Sequence, residues 1–90
     1  MKLDILTPKK TFFSGEVDSV MLPGAAGAFT VLSGHAPMIS SLRPSGKITY
    51  TQGDKSVALI IDGGFVEVWR NRVTICANVQ EQIQEPKEQP

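Results

Sequence analysis

One cysteine, Cys76, and one histidine, His35, are the whole supply of thiol and imidazole in these 90 residues. A single thiol closes no internal disulfide, and this pair alone makes no zinc cluster, which fits a reducing compartment. Charge of one sign is also lacking. Nine Lys and Arg balance nine Asp and Glu, so the formal net charge is zero. That removes the strong positive field on which nucleic-acid binding relies. Long apolar runs are missing: the longest, Val57 to Ile61, is far short of the roughly 20 residues a membrane helix needs. At the N-terminus, Met1-Lys2-Leu3-Asp4 places an acid where a secretory signal would carry its apolar stretch. We therefore expect a soluble protein, or one held at a membrane by its partners alone. No segment sustains a helical 3.6-residue repeat, and there is no internal repeat or low-complexity linker.

What is present is a chain long enough for one domain and apolar enough, at 41%, to fold. Short extended segments alternate with turn residues. Lys2 to Thr7 reads as a strand ended by Pro8. Thr11 to Phe13 follows, closed by Ser14-Gly15. Glu16 to Leu22 alternates with a slip at Ser19-Val20, which sets Val17 and Met21 against Val20 and Leu22. Turns are expected at Pro23-Gly24, Arg43 to Gly46, Gln52 to Asp54, Asp62 to Gly64 and Arg70 to Arg72. Between them, Gly46 to Thr51 points Ile48 and Tyr50 inward, and Val57 to Ile61 reads as covered on both faces. Phe65 to Trp69 separates Val66 and Val68 from Phe65, Glu67 and Trp69. Val73, Ile75 and Ala77 share an inward face. The pattern predicts an all-β sandwich or barrel. From Gln80 the chain is polar, with Ile83 as its one large apolar residue, and it reads as a tail.

The stretch Gly24 to Ile39 organises the rest. It carries three of the eight glycines and the only histidine. Small residues from Gly24 to Ala28 permit tight turning and close approach. Phe29, Val31 and Leu32 supply an anchor, Ser33-Gly34 a second turn, and Pro37 holds Ala36 extended. This composition suits a surface offered to another protein better than a reaction centre.

Catalytic readings find little support. His35 with Ser33 or Ser40 and an Asp would make a triad, but no nucleophile signature accompanies it. Gly24-Ala25-Ala26-Gly27 lacks the Lys-Ser/Thr and the following helix of a phosphate loop. Cys76 has no basic neighbour in sequence and reads as a packed thiol. Trp69, at a strand end, reads as a lid on the core. Arg70, Arg72, Lys9 and Lys10 read as solvated loop ends. No carboxylate pair is spaced for acid–base work. No cofactor and no metal are expected.

Three segments resemble a known family. Phe13-Ser14-Gly15-Glu16-Val17, then Gly27-Ala28-Phe29-Thr30-Val31-Leu32-Ser33-Gly34-His35-Ala36-Pro37, then Gly63-Gly64-Phe65-Val66-Glu67-Val68 followed by Val73-Thr74-Ile75, are similar to the N-terminal domain of the epsilon subunit of the F-type ATP synthase. The mitochondrial equivalent is called delta. The resemblance runs from Lys2 to Val79, and Gly-His-Ala-Pro is its most specific part. It implies a flattened sandwich of two antiparallel sheets with about ten strands over residues 1–79, followed by a polar tail over 80–90. It also implies a non-catalytic central-stalk subunit. Such a subunit links the gamma subunit to the membrane c-ring and couples proton flow to ATP synthesis at the cytoplasmic face of the bacterial inner membrane. Neither nucleic acid, a lipid anchor nor a small-molecule substrate is implied. Matched positions put Thr7, His35 and Ser40 on the gamma-facing surface, and Ala26, Gly27 and Ala28 at the c-ring contact. Two features depart from the family. Many members carry an acid at the Ala28 position, and most continue into a C-terminal helical hairpin, so the resemblance is to a short form lacking it. Outside the family, the alternatives are a free-standing all-β module for a small ligand or peptide, and a small hydrolase built on His35.

Overall fold

The computed structural model of the chain describes residues 1–86. They form β1 (Lys2–Leu6), β2 (Thr11–Glu16), β3 (Ser19–Gly24), β4 (Gly27–Leu32), β5 (Met38–Gln52), β6 (Lys55–Trp69) and β7 (Arg72–Pro86). The strands make one hydrogen-bonded ladder in the order β2-β1-β7-β6-β5-β3-β4. Neighbours are antiparallel except β1 and β7, which run parallel from Lys2↔Arg72 to Leu6↔Cys76.

Strands as long as β5, β6 and β7 do not stay flat. The register of β5 on β6 shifts between Pro44 and Gly46, and that of β6 on β7 shifts between Ile60 and Gly64. There the ladder bends back on itself and makes the sandwich. One layer holds β2, β1, the first half of β7, the second half of β6 and the first half of β5. The other holds β4, β3 and the remaining halves. Counting each half separately gives the ten segments expected; counted as continuous strands there are seven. The difference has a specific origin. Arg43 to Gly46 and Asp62 to Gly64, expected as turns, are bulges inside strands. Ser45 (φ 57°), Gly63 (φ 79°) and Gly64 (φ 134°) take the left-handed conformations that bend them. A Cβ at Gly64 would run into the Cys76 carbonyl, and one at Gly46 into the Pro23 ring.

Alternation fills the space between the layers. Leu3 and Ile5 of β1, Val73, Ile75 and Ala77 of β7, and Val66 and Val68 of β6 are buried from one side. Val20, Leu22, Val31, Ile48, Tyr50, Val57, Leu59 and Ile61 are buried from the other. The Phe13 and Tyr50 rings stack across the gap with centroids 4.5 Å apart. Burial raises the Tyr50 phenol above its ordinary pKa.

Three further expectations are corrected. The alternation from Glu16 breaks at Val17-Asp18, so that Val17, Val20 and Leu22 are all buried and Met21 faces out. Pro23-Gly24 is not a turn. Both residues close β3, and the turn is the next pair, Ala25-Ala26, between the Gly24↔Gly27 partners. The expected boundary at Val79 falls inside β7. Residues 81–86 pair with the first half of β6, from Ile60↔Glu81 to Lys55↔Pro86, with Gln80 at a register shift, and Ile83 lies opposite the fully buried Ala58. The rest of the expected tail, residues 87–90, lies outside the described residues.

Candidate functional site

The sandwich has a bent end and an open end. At the bent end lie the bulges, the Ala25-Ala26 turn and the Thr7–Lys10 turn. At the open end, turns from one layer are tied to the other. Gln52 Nε2 donates to the Glu16 carbonyl at 2.8 Å, and the Gly53 amide donates to Asp18 Oδ2 at 2.7 Å.

His35 belongs to the open end. It follows β4, and its amide donates to the Leu32 carbonyl at 3.1 Å. Its Nδ1 lies 2.7 Å from the Ala36 carbonyl. A carbonyl only accepts, so Nδ1 carries the proton. The loop before it is clamped from the β6–β7 turn: Asn71 Oδ1 accepts the Gly34 amide at 3.0 Å and the Ser33 hydroxyl at 3.2 Å. Asn71 also receives the Lys2 amide on its carbonyl at 3.2 Å. Arg70 (φ 51°) and Asn71 (φ 62°) both sit in the left-handed region, as a two-residue turn matching the twist of its strands requires.

Thr7 lies at the other end, where its hydroxyl donates to the Lys10 carbonyl at 3.0 Å and its amide donates to the same oxygen at 2.9 Å. Ser40 sits on β5 opposite Val66, half-buried, with its hydroxyl on the Ser41 carbonyl at 3.1 Å. Three strand spacings, roughly 14 Å, separate the β1 line from the β5 line. The fold therefore does not gather Thr7, His35 and Ser40 into a cluster: Thr7 follows β1, His35 lies in the β4–β5 connection, and Ser40 is paired with buried Val66 on the inward side of β5. Ala26, Gly27 and Ala28 form the exposed tip of the β3–β4 hairpin. The Ala25 amide anchors that tip to the Ser41 carbonyl at 2.9 Å. The length of β4, about 17 Å for its six residues, separates the tip from the His35 loop.

No side-chain hydroxyl or carboxylate among the described residues is hydrogen-bonded to the His35 ring; the Ser33 hydroxyl donates to Asn71 Oδ1 and the Ser40 hydroxyl to the Ser41 carbonyl. Among the described residues no group of three or more His, Cys, Asp and Glu is placed to hold a metal. No helix among them is long and apolar enough to cross a membrane. The recesses are open grooves; one of about 430 Å³ is lined by Pro37, Met38, Ile39, Glu67, Val68 and Trp69.

That groove exposes what the sequence reading missed. Ile39 is 74% exposed, and Phe65 and Trp69 are each 53% exposed. Trp69 is thus no lid on the core. Its ring faces outward, with the Arg70 guanidinium 5.3 Å from its centroid. The pairs Ile39↔Glu67 and Ser41↔Phe65 put these side chains on one outer face. Alternation had already separated Phe65 and Trp69 from buried Val66 and Val68. The overlooked signal was that the outward set is as large and apolar as the inward one. The neighbouring end of the same face is polar: Asp4 accepts from Ser14 Oγ at 2.6 Å and pairs with Arg72 at 3.0 Å.

Comparison with known proteins gives a consistent set of likenesses. The family described as "ATP synthase, Delta/Epsilon chain, beta-sandwich domain" matches residues 1–83. An ATP synthase epsilon chain of Nitrobacter winogradskyi is 44% identical over 82 residues, covering 91% of this chain and 60% of that protein. One from Chlorobium limicola is 49% identical over 75 residues, covering 82% of this chain and 84% of that protein. The chain therefore spans about 60% of the length of the Nitrobacter relative. In fold, it superimposes on a chain of the Euglena gracilis mitochondrial ATP synthase with a TM-score of 0.79 at 24% identity, over 91% of this chain and 51% of that one. A chain of the Tetrahymena thermophila mitochondrial ATP synthase central stalk and c-ring gives 0.68 at 17% identity, over 91% and 64%.

Proposed function

The chain belongs to the β-sandwich family of ATP synthase delta and epsilon chains, and on that premise we propose that it is a non-catalytic rotor subunit of the central stalk. In this reading it joins the gamma subunit to the c-ring of a proton-translocating synthase, as a peripheral subunit on the cytoplasmic side of the bacterial inner membrane. The observation that carries the proposal is the outer face bearing Ile39, Phe65 and Trp69. Large apolar side chains side by side on one sheet face are a poor match for water and a good one for a protein partner. In this reading gamma docks on this layer, with the His35 loop leading into its β5 edge. The Ser40 side chain, paired with buried Val66, lies on the inner face between Ile39 and Ser41 and would meet gamma only through its backbone, and Thr7 lies beyond β1. The Ala26–Ala28 tip, small and exposed at the other end of β4, meets the c-ring.

The test is titration of the purified chain into purified gamma by calorimetry, followed by reconstitution with the c-ring. A one-to-one complex with gamma, and retention of both in a co-purified stalk, is the expected result. Absence of any gamma complex would sink the reading.

A further inference from the structure

Glu67 stands between Phe65 and Trp69 on the exposed apolar face, with Ile39 on one side and Thr74 on the other. On its own strand, Phe65 and Trp69 stand two residues to either side on the same face, about 7 Å away. Directly across the ladder are Ile39 on β5 and Thr74 on β7, at about 5 Å between Cβ atoms. Three of its four neighbours are thus large apolar side chains, each more than half exposed. Glu67 itself is exposed, and among the described residues no hydrogen bond or ion pair engages its carboxylate. The cations nearest along the chain point to other tasks: Arg70 lies over Trp69, and Arg72 pairs with Asp4.

In the free chain this costs nothing, because water solvates the carboxylate. In a complex that covers Ile39, Phe65 and Trp69 the water is removed. A bare carboxylate enclosed by apolar surface is strongly disfavoured. A purely apolar partner would therefore be repelled by the very face that attracts it. We propose that the surface docking on this face carries one basic side chain, Lys or Arg, set within an apolar patch and positioned to pair with Glu67. The apolar ring supplies the area, and Glu67 supplies the register and rejects partners that lack the cation. This rests on the reading that gamma is the partner.

The experiment measures affinity of purified gamma for the wild-type chain, Glu67→Gln, Glu67→Lys and Glu67→Leu, with circular dichroism as the folding control. Because Glu67 is exposed, the fold is expected to survive all three. Weakening of at least about tenfold for Glu67→Lys, with a smaller loss for Glu67→Gln, is the expected result. In the Glu67→Lys background, changing gamma's Lys and Arg residues singly to Glu should find one position that restores binding. A merely structural role for Glu67 would not produce that rescue. Equal affinity for Glu67→Gln and wild type, or tighter binding by Glu67→Leu, would overturn the inference while leaving gamma as the partner. Failure of the wild-type chain to bind gamma would overturn both.

Discussion

Substituting Asn71 separates two contributions that its position combines. The residue holds a left-handed backbone conformation (φ 62°) and uses its side-chain oxygen to bind Gly34 N–H and Ser33 Oγ–H. Asn71→Ala loses both. Two solvent-accessible hydrogen bonds are together worth about 1–2 kcal/mol, and a Cβ-bearing residue without Asn's tolerance for this region adds about 1 kcal/mol of strain. The total is about 2–3 kcal/mol. Asn71→Gly loses the hydrogen bonds but relieves the backbone, so its global cost falls to about 1 kcal/mol or less. Asn71→Asp keeps the acceptor and the backbone tolerance and should be nearly neutral. Urea denaturation gives the global term. Hydrogen exchange at the Gly34 amide gives the local one, and loss of about 1 kcal/mol there speeds exchange about fivefold. The Gly variant should therefore be nearly as stable as wild type and yet show a loosened His35 loop. Wild-type Gly34 exchange in Asn71→Gly would refute the clamp, and identical stabilities for the Ala and Gly variants would refute the strain term.

Other expectations follow from the same structure. Ile75 is fully buried between Ile5 and Val66, so Ile75→Ala should cost about 2–5 kcal/mol; an unchanged denaturation midpoint would reject its place in the core. His35→Glu should weaken gamma binding with the circular dichroism spectrum intact, and undiminished affinity would remove His35 from the interface. The folded-state pKa of Tyr50 is raised by burial, so its contribution is fully present below its unfolded pKa of about 10 and is lost as pH rises through the higher folded value. Because Tyr50 is the only tyrosine, Tyr50→Phe should flatten the alkaline limb of a stability–pH curve above pH 10, and an unaltered limb would count against this. A chain ending at Val79 would strip β6 of its partners from Lys55 to Ile60 and should lose at least about 2 kcal/mol; an unchanged melting temperature would mean that residues 80–86 add nothing.

Period-two alternation made the buried set legible wherever a strand has one wet face and one dry face. Ile48 with Tyr50, Val66 with Val68, and Val73 with Ile75 were placed by it, and each is buried. Continuity was not legible. Proline and glycine mark both turns and bulges, and only the pairing partner distinguishes them: Pro44 stays in the ladder opposite Asp62, and Gly64 opposite Ala77. Residues 80–86 were misread for a related reason. Their Gln and Glu offer no local signal, and they are extended because the first half of β6 presents a free edge. On the surface, the resemblance picked out His35, Ser40 and the Ala26–Ala28 tip, whereas the Ile39–Phe65–Trp69 face depended on which strands became neighbours.

Because β5, β6 and β7 each run through both layers as unbroken backbone, the two halves of the sandwich are not free to slip past one another. In a sandwich joined only by side chains, a sideways load is resisted by dispersion contacts that yield one at a time. Here a load applied across the Trp69 face meets three covalent chains at the bend. It passes along β5 and reaches the Ala25-Ala26 tip through the Gly24↔Leu42 pair and the Ala25–Ser41 hydrogen bond. Compliance is then concentrated where the ladder is interrupted, at Ser45 and Gly63-Gly64. The body resists shear and gives way along the crease where those registers shift.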